Sequence, residues 1–243
     1  MSISEKLQII AENELKVYEA GYAKGKAEGG DGNDKFWDIY QDYGKRTNYS
    51  NGFAGAGWTT EILKPKYNII PTDAYMLFRN SNVEGNLPTI LHSLGITLDF
   101  SKATNTQYLF NSASKITHIG VVDVSSSTNS NVLDSTFAYA TSLVSIEKLK
   151  WSDNAKGLFL NTFTSCNSLE NVTFEGTISK NGLNLQWSTK LNKDSLTSII
   201  NCLSSDTSGL TVTLSKTAVN MAFTENEWET LSKTKLNWTI SLV

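Results

Sequence analysis

Three stretches of this chain carry the same short hydrophobic signature, and a signature that recurs at a fixed spacing constrains a fold more than any composition does. The stretches run from Leu109 to Ile116, from Thr136 to Leu143 and from Thr162 to Leu169, aligned on Phe110, Phe137 and Phe163, which stand 27 and 26 residues apart. Three residues after each Phe comes a small side chain (Ala113, Ala140, Cys166), six after comes Ile116, Leu143 or Leu169, and nine after comes Ile119, Ile146 or Val172. A looser copy centres on Phe78, 32 residues before Phe110, and leads through Leu94 into Ile96-Thr97-Leu98-Asp99-Phe100, whose alternation predicts a strand. A unit this short, one strand with a turn and a helical or irregular return, cannot bury its own apolar face, so neighbours must stack to do it. The chain is therefore expected to be an α/β repeat, a short solenoid over residues 74–193. Leu/Ile-x-x-Ile/Val supplies each strand and the Phe a ladder on the return side. The Ser, Thr and Asn residues between them suit turns through local hydrogen bonds to the backbone, which explains a mean hydropathy of only −0.25.

Stacked units leave raw ends that must be covered, and residues 194–243 read as an α/β cap. Asp194 to Leu203 is predicted as a helix and Leu210 to Ser215 as a strand. Thr224 to Leu231 is predicted as a helix opened by a Thr-x-x-Glu capping box, and Trp238 to Val243 as a last strand. Trp228 and Trp238 are expected in the core of the cap.

Upstream, residues 1–28 form an expected N-terminal helix, a candidate coiled-coil stem, with Ile3, Leu7, Ile10, Leu15, Tyr18 and Tyr22 on one narrow stripe and charged residues opposite. Such a stripe suits a homo-oligomer, for example a trimer, and equally suits packing on the rest of the chain. A glycine-rich linker follows at 29–34. Its Asp31-Gly32-Asn33-Asp34 lacks the spacing and the bidentate Glu of a calcium loop, since Lys35 and Phe36 stand where a ligand and a glycine belong. Residues 35–73 are an aromatic neck or N-terminal cap in which Gly52, Gly55 and Gly57 miss the dinucleotide and P-loop spacings, and Lys66 to Ile70 alternates like a first strand.

The chemistry is sparse. With 243 residues, 40% of them hydrophobic, the chain can bury a sizeable core, while a net charge of −3 with scattered Lys and Arg predicts no nucleic-acid partner. No apolar run is long enough to cross a membrane, and the first residues lack the layout of a signal peptide. Cys166 and Cys202 have no spacing for zinc and read as small buried hydrophobes, so neither a metal nor a cofactor is expected. The two histidines, His92 and His118, sit in bland apolar contexts without a nucleophile beside them. Asp99, Asp123, Glu147 and Glu170 recur about once per unit. They would serve either as a solvated acidic row or, aligned across turns, as the carboxylate pair of a polysaccharide-degrading spike. The aromatics the ladder does not use, Tyr139, Trp151 and Trp187, are candidate ligand contacts, together with Asp123 and Glu147.

Thr162-Phe163-x-x-Cys166-x-x-Leu169-x-x-Val172 resembles the Ala-Phe-x-x-Cys-x-x-Leu-x-x-Ile unit of the BspA-like leucine-rich repeats of bacteria. The whole layout, from Ser4-Glu5-Lys6-Leu7 through Phe36-Trp37 and Phe53-Ala54-Gly55 to Asn237-Trp238-Thr239-Ile240-Ser241-Leu242-Val243, is similar to short leucine-rich-repeat minor structural proteins of Firmicutes phages and prophages. The chain departs from the repeat motif by lacking the proline that usually follows the strand and by holding the Cys in one unit only. The resemblance implies a leucine-rich-repeat-like solenoid and a non-enzymatic virion component of a tail, baseplate or fibre. Its partners would be copies of itself or another virion protein through the N-terminal helix, and a host surface glycan or protein. A bacterial leucine-rich-repeat adhesin and a polysaccharide-degrading tail spike are the alternatives.

Overall fold

A computed structural model describes residues 68–127, 129, 131–151, 159 and 161–243. The expected stem, linker and most of the neck, including Ile3, Leu7, Ile10, Leu15, Tyr18 and Tyr22, lie outside the described residues. The described part mixes four α-helices with two parallel sheets, neither closed into a barrel. The first sheet has the order β1-β2-β3-β4, from Gly85–Asn86 (β1), Ile116–Val124 (β2), Ser145–Trp151 (β3) and Asn171–Glu175 (β4). The second runs β5-β6-β7, from Asn184–Leu185 (β5), Leu210–Leu214 (β6) and Trp238–Leu242 (β7).

Successive strands pair in the register set by the signature, with Ile119 opposite Ile146 and Ile146 opposite Val172. On the return side Phe78, Phe110, Phe137 and Phe163 are all fully buried and stack nearly face to face, with centroids 5.1, 6.0 and 5.5 Å apart. The backbone explains how four rings keep one pose. Each Phe is flanked two residues before and two after by left-handed residues: Met76 and Asn80, Tyr108 and Ser112, Ser135 and Tyr139, Asn161 and Ser165, with φ between 52° and 62°. Turns built this way send alternate N–H groups in opposite directions. Leu109, Asn111 and Ala113 donate three residues back within their own turn, whereas Tyr108, Phe110 and Ser112 donate to Asp134, Thr136 and Ala138 of the next. The return side is thus a second hydrogen-bond ladder, and it leaves few backbone donors unmade in a region without strands. Thr136 and Thr162, each preceding its Phe, add buried hydroxyl bonds to the carbonyls of Thr106 and Leu133 in the turn before.

The strands carry one irregularity with consequences. In β2 the inward residues run Ile119, Val122, Val124 and in β3 Ile146, Leu149, Trp151, a three-residue step followed by a two-residue step. In β4 the steps from Val172 to Phe174 stay at two. The extra residue is a bulge, and it reverses the facing of everything after it.

The first unit departs from expectation. Residues 96–100 form no strand; only Leu98 bridges, to Ile69, which is also the one described bridging residue of the strand expected over 66–70. The strand partner of β2 is the two-residue β1. A helix not foreseen follows, Leu87–Ser93 (α1), capped by Asn86 with Pro88 in its first turn. That inserted helix accounts for the longer spacing between Phe78 and Phe110.

The C-terminal elements fall as expected, with α2 over Lys193–Cys202 and α4 over Glu225–Ser232 opened by the Thr224/Glu227 capping box. A further helix, Lys216–Ala222 (α3), is capped by Ser215. Trp238 is buried, and Trp228 packs on the core while partly open. The open edge of β4 is sealed by side chains of α2. Ser195 Oγ accepts from Val172 N–H at 2.9 Å and Ser198 Oγ from Phe174 N–H at 3.3 Å, while Cys202 Sγ meets the Phe174 carbonyl at 3.5 Å. Residues three and four apart on a helix face one side, so one helix supplies surrogate backbone partners along an edge that would otherwise recruit another strand.

Candidate functional site

The outward face of the first sheet carries a short row of charges fixed by strand register. Asp123 lies opposite Lys150 and Lys150 opposite Glu175, with Lys150 Nζ 3.5 Å from Asp123 Oδ2 and 3.4 Å from Glu175 Oε1. Lys148 holds the other Glu175 oxygen at 2.6 Å. Partial burial alone would raise the Asp123 carboxyl, but hydrogen bonds from Ser125 and the Lys150 ammonium outweigh it and hold the group below its ordinary value. The Lys148 hydrogen bond, aided by Lys150, lowers Glu175 too. A glycosidase acid must stay protonated near neutral pH, so this pair is tuned in the opposite direction. Asp99 spends its carboxylate on the Ser101 N–H, as Asp123 does on that of Ser125, each closing a corner turn. Glu147 is exposed on β3, and Glu170 precedes β4 with its carbonyl taken by Asn192 and Ser195. His92 and Glu147 line a separate groove of about 290 Å³ between α1 and β2, whose other walls include Leu87, Leu91 and Ile119. His118 bonds the hydroxyl of its neighbour Thr117.

Trp151 is not a surface contact. The bulge turns it inward, where it is 5% exposed, edge-on to Phe159 and Phe174, with its indole N–H on the Thr177 carbonyl at 3.0 Å. Gly176, at φ +141°, lies so close that a Cβ there would sit 2.8 Å from the indole. Cys166 is equally interior. Burial pushes its thiol up to about 12, and it is bonded to the Phe137 carbonyl at 3.1 Å. Cys202, partly buried, is also raised by burial.

Tyr139 and Trp187 do reach the surface, 52% and 47% exposed. They are related. Leu185-x-x-Ser188-x-x-Leu191 repeats the spacing of Phe163-x-x-Cys166-x-x-Leu169, all three residues are buried, and Ser188 Oγ bonds the Cys166 carbonyl at 3.2 Å. Trp187 therefore stands two residues after its ladder position, as Tyr139 does after Phe137, with Ser165 in the intervening unit. At φ +62° Tyr139 occupies a conformation that costs a non-glycine residue about 1 kcal/mol or more, although its ring is half in water. The same conformation recurs at all eight positions that flank the four ladder Phe residues, so it belongs to the turn and is not a mark of ligand contact.

Beside Trp187 opens a cleft of about 570 Å³ at the junction of the return ladder and the second sheet. One wall is Asn161 and Thr164 from the last Phe turn; the floor is the segment from Asn181 to Gln186; the far wall is Thr211 and Thr213. The alternation of β6 puts those threonines outward while Val212 and Leu214 fill the core. Two side chains are fixed by backbone bonds, Asn181 Oδ1 by Thr211 N–H at 2.7 Å and Asn184 Oδ1 by Gln186 N–H at 3.0 Å. The residues lining this cleft, Trp187 excepted, were missed by sequence reading. The fifth signature would have found them, but its Phe is replaced by Leu and its spacing from Phe163 is 22 residues. Comparison with protein-family models, curated proteins and solved structures finds no match to this chain.

Proposed function

We propose that this chain is a non-enzymatic virion protein of a phage tail, baseplate or fibre, a short leucine-rich-repeat-like solenoid that presents its surface for contact with the host or with another protein. The observation that carries it is the pairing of a self-satisfied scaffold with an unspent surface. Two ladders and the serine-sealed β4 edge satisfy the backbone of the repeat units from within, while Tyr139 and Trp187 reach the surface, Trp187 beside an uncharged cleft. The likeness of the repeat motif and chain layout to phage minor structural proteins supplies the particle. The N-terminal stripe of Ile3, Leu7, Ile10, Leu15, Tyr18 and Tyr22 would join copies of the chain, as a trimer or other closed oligomer, or dock it on a neighbouring virion protein.

Immunogold labelling with antibody to the chain tests this. Label on the tails of purified particles is the expected result. Label on the envelope of cells that make no particles would favour a bacterial surface adhesin. Release of new reducing ends from host polysaccharide by the purified chain would favour a polysaccharide-degrading spike.

A further inference from the structure

We propose that the cleft beside Trp187 binds a short neutral oligosaccharide, with Trp187 as the stacking platform; this deepens the reading of the chain as a contact protein and rests on it for biological purpose, not for its chemistry. Every polar residue lining the cleft is an uncharged amide or hydroxyl residue: Asn161, Thr164, Asn184, Gln186, Thr211 and Thr213 among them. An ionic ligand would meet no countercharge there, whereas a sugar offers hydroxyls that both donate and accept, as amides and threonines do. A pyranose ring also has an apolar face of C–H groups, which matches a flat indole left 47% exposed at the rim.

The donors are set before any ligand arrives. Because Thr211 and Gln186 N–H groups occupy the oxygens of Asn181 and Asn184, each amide is oriented and its NH2 remains to donate. Such fixed groups lose little freedom on binding, which is the main cost a small site must limit. The volume, about 570 Å³, is that of a small-molecule site and exceeds a single sugar ring. Tyr139 lies outside the cleft lining. Its N–H donates to the Thr164 carbonyl at 2.8 Å, one turn beyond that wall of the cleft.

The test is a titration of the full chain with maltotriose, chitotriose and a β-linked galactobiose, read by the indole N–H resonances in NMR, with Trp187→Phe assigning the relevant peak. We expect at least one of the three to shift the Trp187 signal with a Kd of about 1 mM. Trp187→Ala should weaken that binding at least tenfold and Gln186→Ala about threefold to tenfold, with both variants keeping the folded circular dichroism spectrum of the wild type. Binding that survives Trp187→Ala unchanged, tighter binding of the acidic analogue galacturonate dimer, or no shift with any of the three saccharides up to about 10 mM would each overturn the proposal. Particle location is read separately by immunogold. Labelled tails without saccharide binding would sink only the glycan site, and saccharide binding without labelled tails only the virion reading.

Discussion

Truncating Phe137 to Ala should cost more than the same change at most core positions, because nothing can move in to fill the gap. The ring is fully buried and sandwiched between Phe110 at 6.0 Å and Phe163 at 5.5 Å. Losing roughly 150 Å² of buried apolar surface at about 25 cal/mol per Å² amounts to about 4 kcal/mol, inside the 3–5 kcal/mol typical of Phe→Ala. Collapse would recover part of that in a softer core. Here the turns on either side are pinned, by Phe110 N–H on the Thr136 carbonyl at 2.7 Å and Phe137 N–H on the Thr162 carbonyl at 3.0 Å, so the cavity stays. We therefore expect a loss of about 4–5 kcal/mol, or a fall of about 8–20 °C in the melting temperature, measured by urea and thermal unfolding followed by circular dichroism. Phe137→Leu, which keeps most of the volume, should lose about 1–2 kcal/mol. A loss below about 1.5 kcal/mol for the alanine variant would refute the idea that the two hydrogen-bond ladders hold the Phe stack open.

Four further outcomes follow from particular contacts. Gly176→Ala combines a left-handed φ of +141° with a Cβ 2.8 Å from the Trp151 ring, and should destabilise by about 2–4 kcal/mol and shift Trp151 fluorescence; an unchanged spectrum would contradict the packing. The double variant Ser195→Ala/Ser198→Ala unseals the β4 edge, costing about 2–4 kcal/mol and producing concentration-dependent association in sedimentation beyond whatever oligomer the wild type forms. Tyr139→Asn relieves a left-handed aromatic at φ +62° and should stabilise by about 0.5–1 kcal/mol in urea unfolding. Hydrogen bonds from Lys193 and from Thr224 hold Glu227 at about 2 against an ordinary 4.5, so the folded state releases its proton more readily than the unfolded chain does. That stabilisation is complete above pH 4.5 and disappears as pH falls toward 2, and Glu227→Gln should flatten this part of the stability profile.

Much of the scaffold was legible because the residues that make it are large and regularly spaced. Phe110, Phe137 and Phe163 announced the ladder, and Thr224 with Glu227 announced the last long helix by the two side chains that cap it. What escaped has local physical causes. A bulge of one residue in β3 turned Trp151 from an expected contact into core, because alternation is a count and an extra residue inverts it. The first unit hid its strand because α1 is inserted directly after two paired residues, so the Phe78 spacing no longer matched. The last unit hid because Leu185 and Ser188 replace Phe and Cys, and because α2 stands where a fifth strand would be. With that unit unseen, Trp187 was a lone aromatic in the sequence, although the fold sets it at the position Tyr139 holds and opens a cleft beside it.

Host-cell adsorption is the direct measurement of whether this body serves particle attachment. Purified full chain, incubated with host cells before the phage is added, is expected to occupy the same surface and lower the fraction of adsorbed particles in proportion to its concentration, with Trp187→Ala losing most of that effect. Adsorption unchanged at concentrations where the chain is seen bound to the cells would contradict a role in host contact.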